Sequence, residues 1–257
     1  MKQYVFLPIA LVATLAMLLL SSCTISVKNT GEAIEAGEIT KETRKLAAFN
    51  KIHFGGAMDI EFVTSDSSYI EIEAGKNLLP HIKTEVNDNM LKIMPDYEGG
   101  KPNFSSSERT FHFQPSDGIT GNKKINIKVF SPSLEEIKIA GAASFKADNI
   151  TSDNIVIDLS GATETNIKNL NCKNVRIDSK GASETKIKIN GADNTELKAA
   201  GACEADITFN NCNRAGIKVA GAADLTLKGT LNILDKHIAG ACSLDTDELK
   251  LTNNNDK

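Results

Sequence analysis

The sequence predicts an all-β protein, a parallel β-solenoid with turns of about twenty residues. Glycines recur at Gly141, Gly161, Gly181, Gly201, Gly221 and Gly240, with spacings of 20, 20, 20, 20 and 19. A period held that closely marks a stacked repeat architecture. Apolar residues alternate with polar ones on both sides of each glycine, and this period of two is the mark of strands. Twenty residues that hold two such strands leave no room for a helix.

Alignment on the glycine resolves each repeat into columns. Two positions before it stand Ile139, Leu159, Ser179, Ala199, Val219 and Ile238; four before it stand Ile137, Ile157, Ile177, Leu197 and Ile217. Six after it come Ala147, Ile167, Ile187, Ile207 and Leu227, while Lys138, Asp158, Asp178, Lys198 and Lys218 fall between the apolar columns. Each strand has one apolar face, so a lone repeat cannot bury itself and successive turns must stack. The glycine is expected to supply a backbone angle or a close approach that a β-carbon would obstruct. The alanine after it (Ala142, Ala162, Ala182, Ala202, Ala222, Ala241) is expected on the inside of a tight corner. A second corner is expected at TSDN, NCKN, GADN and NCNR, where Asn and Asp suit turns. An antiparallel hairpin array of the same period is the competing reading, although hairpin loops favour Asn-Gly or Asp-Gly over Gly-Ala.

The chain begins MKQYVFLPIALVATLAMLLLSSC, with Lys2, an apolar run and small residues before Cys23. This pattern predicts a secretory signal over residues 1–22, since no charged stop-transfer flank follows it. Leu20-Ser21-Ser22-Cys23 also resembles a bacterial lipobox, which makes Cys23 the expected lipid attachment point and the membrane a partner through that lipid. Residues 23–45 are polar and read as a tether. Residues 46–133 read as an N-terminal β region: FNKIHFGGAMDIEF looks like a detached first turn around Gly56-Ala57, and YIEIEAG and MLKIMP are short strands. KINIKVFSPSLEEIKI leads through a Ser-Pro-Ser turn into the repeats, and residues 95–124 read as a long loop with a short strand at TFHF. The repeats occupy residues 134–257 and end in a polar LTNNNDK. Residues 46–250 are expected to form one continuous domain.

The formal net charge is −4, and removal of Lys2 with the signal makes the mature chain one unit more acidic. This gives no nucleic-acid footprint. Four cysteines remain after Cys23: Cys172, Cys203, Cys212 and Cys242. Cys203 and Cys242 share one column and Cys172 and Cys212 another, each pair two repeats apart. Stacked strands rise about 4.8 Å per layer, so partners stand roughly 9.6 Å apart, beyond the roughly 7 Å that a disulfide allows. Small buried thiols are expected instead.

The order FNKIHFGGAMDIEF, KNLLPHIKTEVNDNMLKI, LEEIKIAGAASF and then the Gly-Ala repeats resembles the putative auto-transporter adhesin, head GIN domain family, over about residues 46–250. That family is common among exported lipoproteins of Bacteroidota. The resemblance implies a right-handed parallel β-helix, related in shape to pectin-lyase-like folds, with no assigned catalytic residues and an adhesive role. The corners here read Gly-Ala followed by Ala, Ser, Thr or Cys, where many relatives have Gly-Ser-Gly.

His53, His81, His112 and His237 are scattered, without metal spacing, and no phosphate-cradling loop precedes a helix. No catalytic residue, cofactor or metal is therefore expected. One outward column is acidic: Glu164, Glu184, Glu204 and Asp224 follow their glycines by three, between Ser144 and Ser243. The row admits two readings, a solvated ladder relieved by Lys146 and Lys186, or a set of carboxylates for a hard cation such as Ca²⁺. Equivalent carboxylates lack the contrasting environments that separate acid from base in glycosidases. From Leu134 onward the aromatics are Phe145 and Phe209, both on inward columns, so a sugar-gripping groove is not expected there. The loop with Tyr97 and Phe104 is the better place for one. These features favour a lipid-anchored adhesion or interaction module with a cell-surface protein or glycan as ligand, by default at the outer membrane. A structural envelope lipoprotein and a polysaccharide-active enzyme are the alternatives.

Overall fold

The computed structural model describes residues 34–96 and 119–252. Cys23, Tyr97, Phe104, His112, TFHF and residues 253–257 lie outside the described residues. The strands are β1 (Ile34–Glu35), β2 (Ile39–Lys45), β3 (Lys51–Thr64), β4 (Tyr69–Gly75), β5 (Ile82–Asn87), β6 (Met90–Pro95), β7 (Ile119–Thr120), β8 (Asn126–Ser131), β9 (Glu136–Ala147), β10 (Ile150–Asn190), β11 (Asn194–Asp245) and β12 (Leu249–Leu251). A 3-10 turn at Leu79–His81 precedes β5, and no α-helix occurs among the described residues. β1 and β7 pair with each other, and the rest form one mixed sheet in the order β12-β11-β10-β9-β3-β8-β4-β2, with β6 beside β3 and β5 beside β6.

Successive repeats pair in parallel at the sequence period. Each residue from Asn174 to Asn190 faces the residue twenty positions later, and Val156–Ile167 faces Glu136–Ala147 at the same offset. Parallel neighbours exclude the hairpin array, whose strands would run antiparallel. The segment read as a detached first turn pairs with the repeats: β3 lies parallel to β9 with Gly56 opposite Gly141 and Ala57 opposite Ala142. Outward of β3 the sheet becomes mixed, because β4 pairs antiparallel with both β8 and β2.

The corners explain the glycines on two counts. Gly181 has φ of 109°, in the region that β-carbons disfavour. A β-carbon built there would also stand 2.6 Å from the carbonyl oxygen of Gly161. The alanines do not sit inside. Ala162, Ala182, Ala202 and Ala222 are exposed, and the next residue turns inward (Thr163, Ser183, Cys203, Ala223). The alternation keeps its phase across the corner (Leu159 and Thr163 are both buried), and only the glycine, where strict alternation would put an inward residue, is exposed, leaving three consecutive outward residues at each corner.

The columns read from the sequence form the core. Ile137, Ile157, Ile177, Leu197 and Ile217 are buried, as are Ile167, Ile187, Ile207 and Leu227, with Phe145 and Phe209 among them. Cys172, Cys203 and Cys212 are free and buried, but Cys242 is only half-buried, since no repeat covers the last turn. There the spacing shortens to nineteen. Ile238, in the column of buried Val219, is 37% exposed, and Lys236 takes the column position of Ile217.

Within the segment 23–45 read from the sequence as a tether, Ile39–Lys45 form β2 of the mixed sheet and Ile34–Glu35 pair with β7. β2 (ITKETRK) carries no apolar alternation and is held by its pairing with β4. Arg44 adds side-chain bonds from its guanidinium to the carbonyl oxygens of Leu79 (2.9 Å) and Ile82 (2.5 Å).

Candidate binding face

The strands that follow the glycine corners continue sideways into β3, β8, β4 and β2, so their outward residues form rows across the whole sheet. The first row is the acidic column. Glu184 faces Glu204, Glu164 faces Ser144, and Ser144 faces Asp59. The row runs on through Asn126 and Glu73 to Lys41. Sequence periodicity could not reach these last members, because they lie outside the repeats and β4 runs antiparallel to both of its neighbours.

Glu164, Glu184, Glu204 and Asp224 are exposed and line one side of an open groove of about 740 Å³, with the corner alanines along it. At its N-terminal end Ser144 Oγ donates to Asp59 Oδ1 at 2.6 Å, and Lys124 Nζ lies 3.7 Å from Asp59. Lys146 stands 4.0 Å from Glu164, as expected. Lys186 does not relieve the row: its ammonium lies 3.9 Å from Asp206, one repeat on. The carboxylates are in register but do not converge, and among the described residues no three His, Cys, Asp or Glu side chains gather to hold a metal ion.

The second and third rows carry mixed charge. Lys128 pairs with Glu61 at 3.1 Å and Lys168 with Asp148 at 2.8 Å, the latter across one repeat interval. In the third row Lys45, Tyr69, Phe130 and Val63 stand on four neighbouring strands. The rings of Tyr69 and Phe130 stack with centroids 4.2 Å apart and planes 6° from parallel.

The opposite corner of each repeat holds amide ladders. Asn194 Nδ2 donates to Asn174 Oδ1 (3.2 Å), and Asn174 Nδ2 to Asn154 Oδ1 (2.9 Å). A second ladder links Asn210, Asn190 and Asn171 at 3.1 and 3.0 Å. Turn preference had accounted for Asn154, Asn171, Asn174 and Asn194 in the sequence, but not for Asn190 and Asn210. The stacking adds a second reason, since each amide both donates and accepts along the ladder.

The three described histidines, His53, His81 and His237, stay apart. His81 Nδ1 lies 3.2 Å from the carbonyl oxygen of Asp96, and His237 is exposed. His53 faces Lys92 on one side and Lys138 on the other. Burial first, and then those two ammonium groups, push its pKa below the ordinary 6.5.

The model of the family described as "Putative auto-transporter adhesin, head GIN domain" matches residues 48–192, more than half of the chain. The chain belongs to that family. The match spans β3, the mixed N-terminal strands and the first repeats, and stops short of the last ones. Among solved structures, a putative adhesin from Bacteroides fragilis NCTC 9343 superposes with a TM-score of 0.60 at 22% identity, covering 82% of this chain and 100% of its own. A putative adhesin from Parabacteroides distasonis ATCC 8503 gives 0.55 at 20% identity, covering 83% and 99%. A putative lipid binding protein from the same organism gives 0.54 at 18%, also covering 83% and 99%. At these identities the likeness is one of fold. No curated protein matches the chain.

Proposed function

We propose that this member of the head GIN domain family is a lipid-anchored adhesion module of the cell envelope, tethered through Cys23 and presenting its sheet face to a surface ligand. The observation that carries the reading is the continuous exposed face, whose rows stay in register from β2 to β11. A polar, ordered face suits contact with an extended partner. Turnover would call for a cleft with contrasting acid and base groups. Leu20-Ser21-Ser22-Cys23 supports the anchor, and family membership supports the adhesive role. The twenty-residue parallel offset supports winding as a right-handed β-solenoid, in which each turn supplies one member to every row.

Two measurements test the reading. Metabolic palmitate should label the wild type and not Cys23→Ala, and protease shaving of whole cells should release the sheet domain if it faces outward. Beads coated with the purified chain should then bind cells or glycans above uncoated beads. Equal labelling of both forms would remove the anchor, and bare-bead levels of binding would remove the adhesive role.

A further inference from the structure

Asn190-Gly191 is the one Asn-Gly dipeptide in the sequence. Asparagine is among the chemically labile residues, and most so before glycine, where no side chain shields the following backbone nitrogen from the amide carbon. Every other asparagine in the chain precedes a residue that carries a side chain.

The dipeptide stands at a break in the strands. β10 ends at Asn190 and β11 resumes at Asn194, the single interruption between Ile150 and Asp245. Asn190 is half-buried and Gly191 exposed, so water reaches this corner. Room does not dictate the glycine, since a β-carbon on it would meet nothing within 4 Å. It supplies a φ of 66°, and twenty residues on Asn211 supplies 54°. Asparagine thus fills the same position in the next repeat, as its short polar side chain allows.

The fold holds both reacting groups. Asn190 Nδ2 donates to Asn171 Oδ1 at 3.0 Å, and Asn190 Oδ1 accepts from Asn210 Nδ2 at 3.1 Å. The Gly191 N–H donates to the carbonyl oxygen of Asn210 at 2.9 Å. Ring closure needs the side-chain amide to swing back over its own backbone and the Gly191 nitrogen to give up its proton. The first breaks both ladder bonds, and the second breaks the bond to Asn210. All of these bonds are lost when the corner opens, and such local opening costs less than global unfolding.

We propose that Asn190 is a modification site, a spontaneous deamidation that the amide ladder holds back and that local opening of this corner releases. The Gly191 nitrogen bonds to Asn190 Cγ as the Cγ–Nδ2 bond breaks, and the proton of that nitrogen leaves with the amide as ammonia. Water then opens the cyclic imide at either carbonyl, to aspartate or to isoaspartate. Isoaspartate routes the main chain through Cγ and lengthens it by one carbon, within a stack whose register is a constant offset of twenty residues. The product accumulates in chains whose repeats have come apart. The ladder therefore protects the chain chemically as well as joining its repeats.

Peptide mapping by mass spectrometry tests this, on the full chain incubated at physiological pH and temperature, folded or in urea. In urea, amide-to-acid conversion is expected at Asn190 ahead of every other asparagine. In the folded chain the same conversion should be at least tenfold slower. Asn171→Ala and Asn210→Ala, both at exposed positions, should speed the folded reaction severalfold and leave the rate in urea unchanged. Gly191→Asn should keep the melting temperature and slow conversion in urea tenfold or more, which keeps the test valid if a ladder variant unfolds. Equal rates at Asn190 in the folded and unfolded chains overturn the proposal, as does faster conversion at another asparagine in urea. Ladder variants that fold and convert at the wild-type rate, or a Gly191→Asn chain that converts as fast as the wild type in urea, overturn it too.

Discussion

The carbonyl oxygen of Gly161 occupies the space above which a β-carbon on Gly181 would have to fit, at 2.6 Å. Each corner glycine meets its predecessor in this way, so one substitution strains two repeats at once. Gly181→Ala should cost roughly 2 kcal/mol or more, from positive φ and backbone overlap together. A β-carbon added to Gly216 would meet nothing within 4 Å, and its φ is not positive, so Gly216→Ala should be neutral or slightly stabilising. Urea midpoints of the two variants check the contrast, and equal losses would refute it.

The acidic row should respond as a solvated ladder. Glu184 and Glu204 face each other in register, and Lys186 is drawn to Asp206 instead. Replacing both glutamates by glutamine should raise stability by roughly a few tenths of a kcal/mol, the scale of exposed charge pairs. The gain should shrink in 1 M salt, where the Debye length is about 3 Å. Calcium should not shift the wild-type melting temperature. A calcium-dependent rise that the double variant loses would establish an ion site along the row.

His53 should make stability fall on acidification. Its folded pKa lies below the unfolded 6.5 because burial and the two lysines disfavour the imidazolium. The unfolded chain therefore binds the proton first. The stabilisation from neutral His53 is complete above about pH 6.5 and is lost as pH falls from there toward the folded pKa. Urea midpoints between pH 7.5 and 5 should decline less steeply for His53→Gln than for the wild type. Parallel curves would count against this role.

Lys236 should act as a stop at the C-terminal end. It stands where the repeats place Ile177, Leu197 and Ile217, while Ile238 beside it is 37% exposed. A charge in an otherwise apolar column blunts an open sheet edge. Lys236→Ile should extend the apolar end and promote association, visible as a concentration-dependent mass by light scattering. A monomeric variant at all concentrations would show that the end is protected by other means.

The repeats were legible because one residue type, glycine, is required at each corner and because the core columns are aliphatic. Phe54-Gly55-Gly56-Ala57 was legible as a separated turn for the same reasons, although its partner strand lies 85 residues on. β2 was not, since ITKETRK is polar after Ile39 and is held by backbone pairing and by Arg44. The position of the corner alanines was missed because their small size suggested the inside of a corner, whereas the alternation itself, from buried Leu159 to buried Thr163, places Ala162 outward. The row from Asp59 to Lys41 and the stacking of Tyr69 on Phe130 arise from pairing between segments with no shared period. Only the sheet order brings them together.

The constant offset also makes the length of the protein editable. Each residue of the paired repeats faces the one twenty positions later, so excision of residues 182–201 would join Gly181 to Ala202 without changing any remaining register. The product should fold as a stack shorter by one strand spacing, about 4.8 Å. Its rows would each lose one member, while the strands around Phe130 would be untouched. Insertion of a copy would lengthen the stack by the same step. A scaffold of this kind can change its extent by whole repeats while the N-terminal strands keep their chemistry.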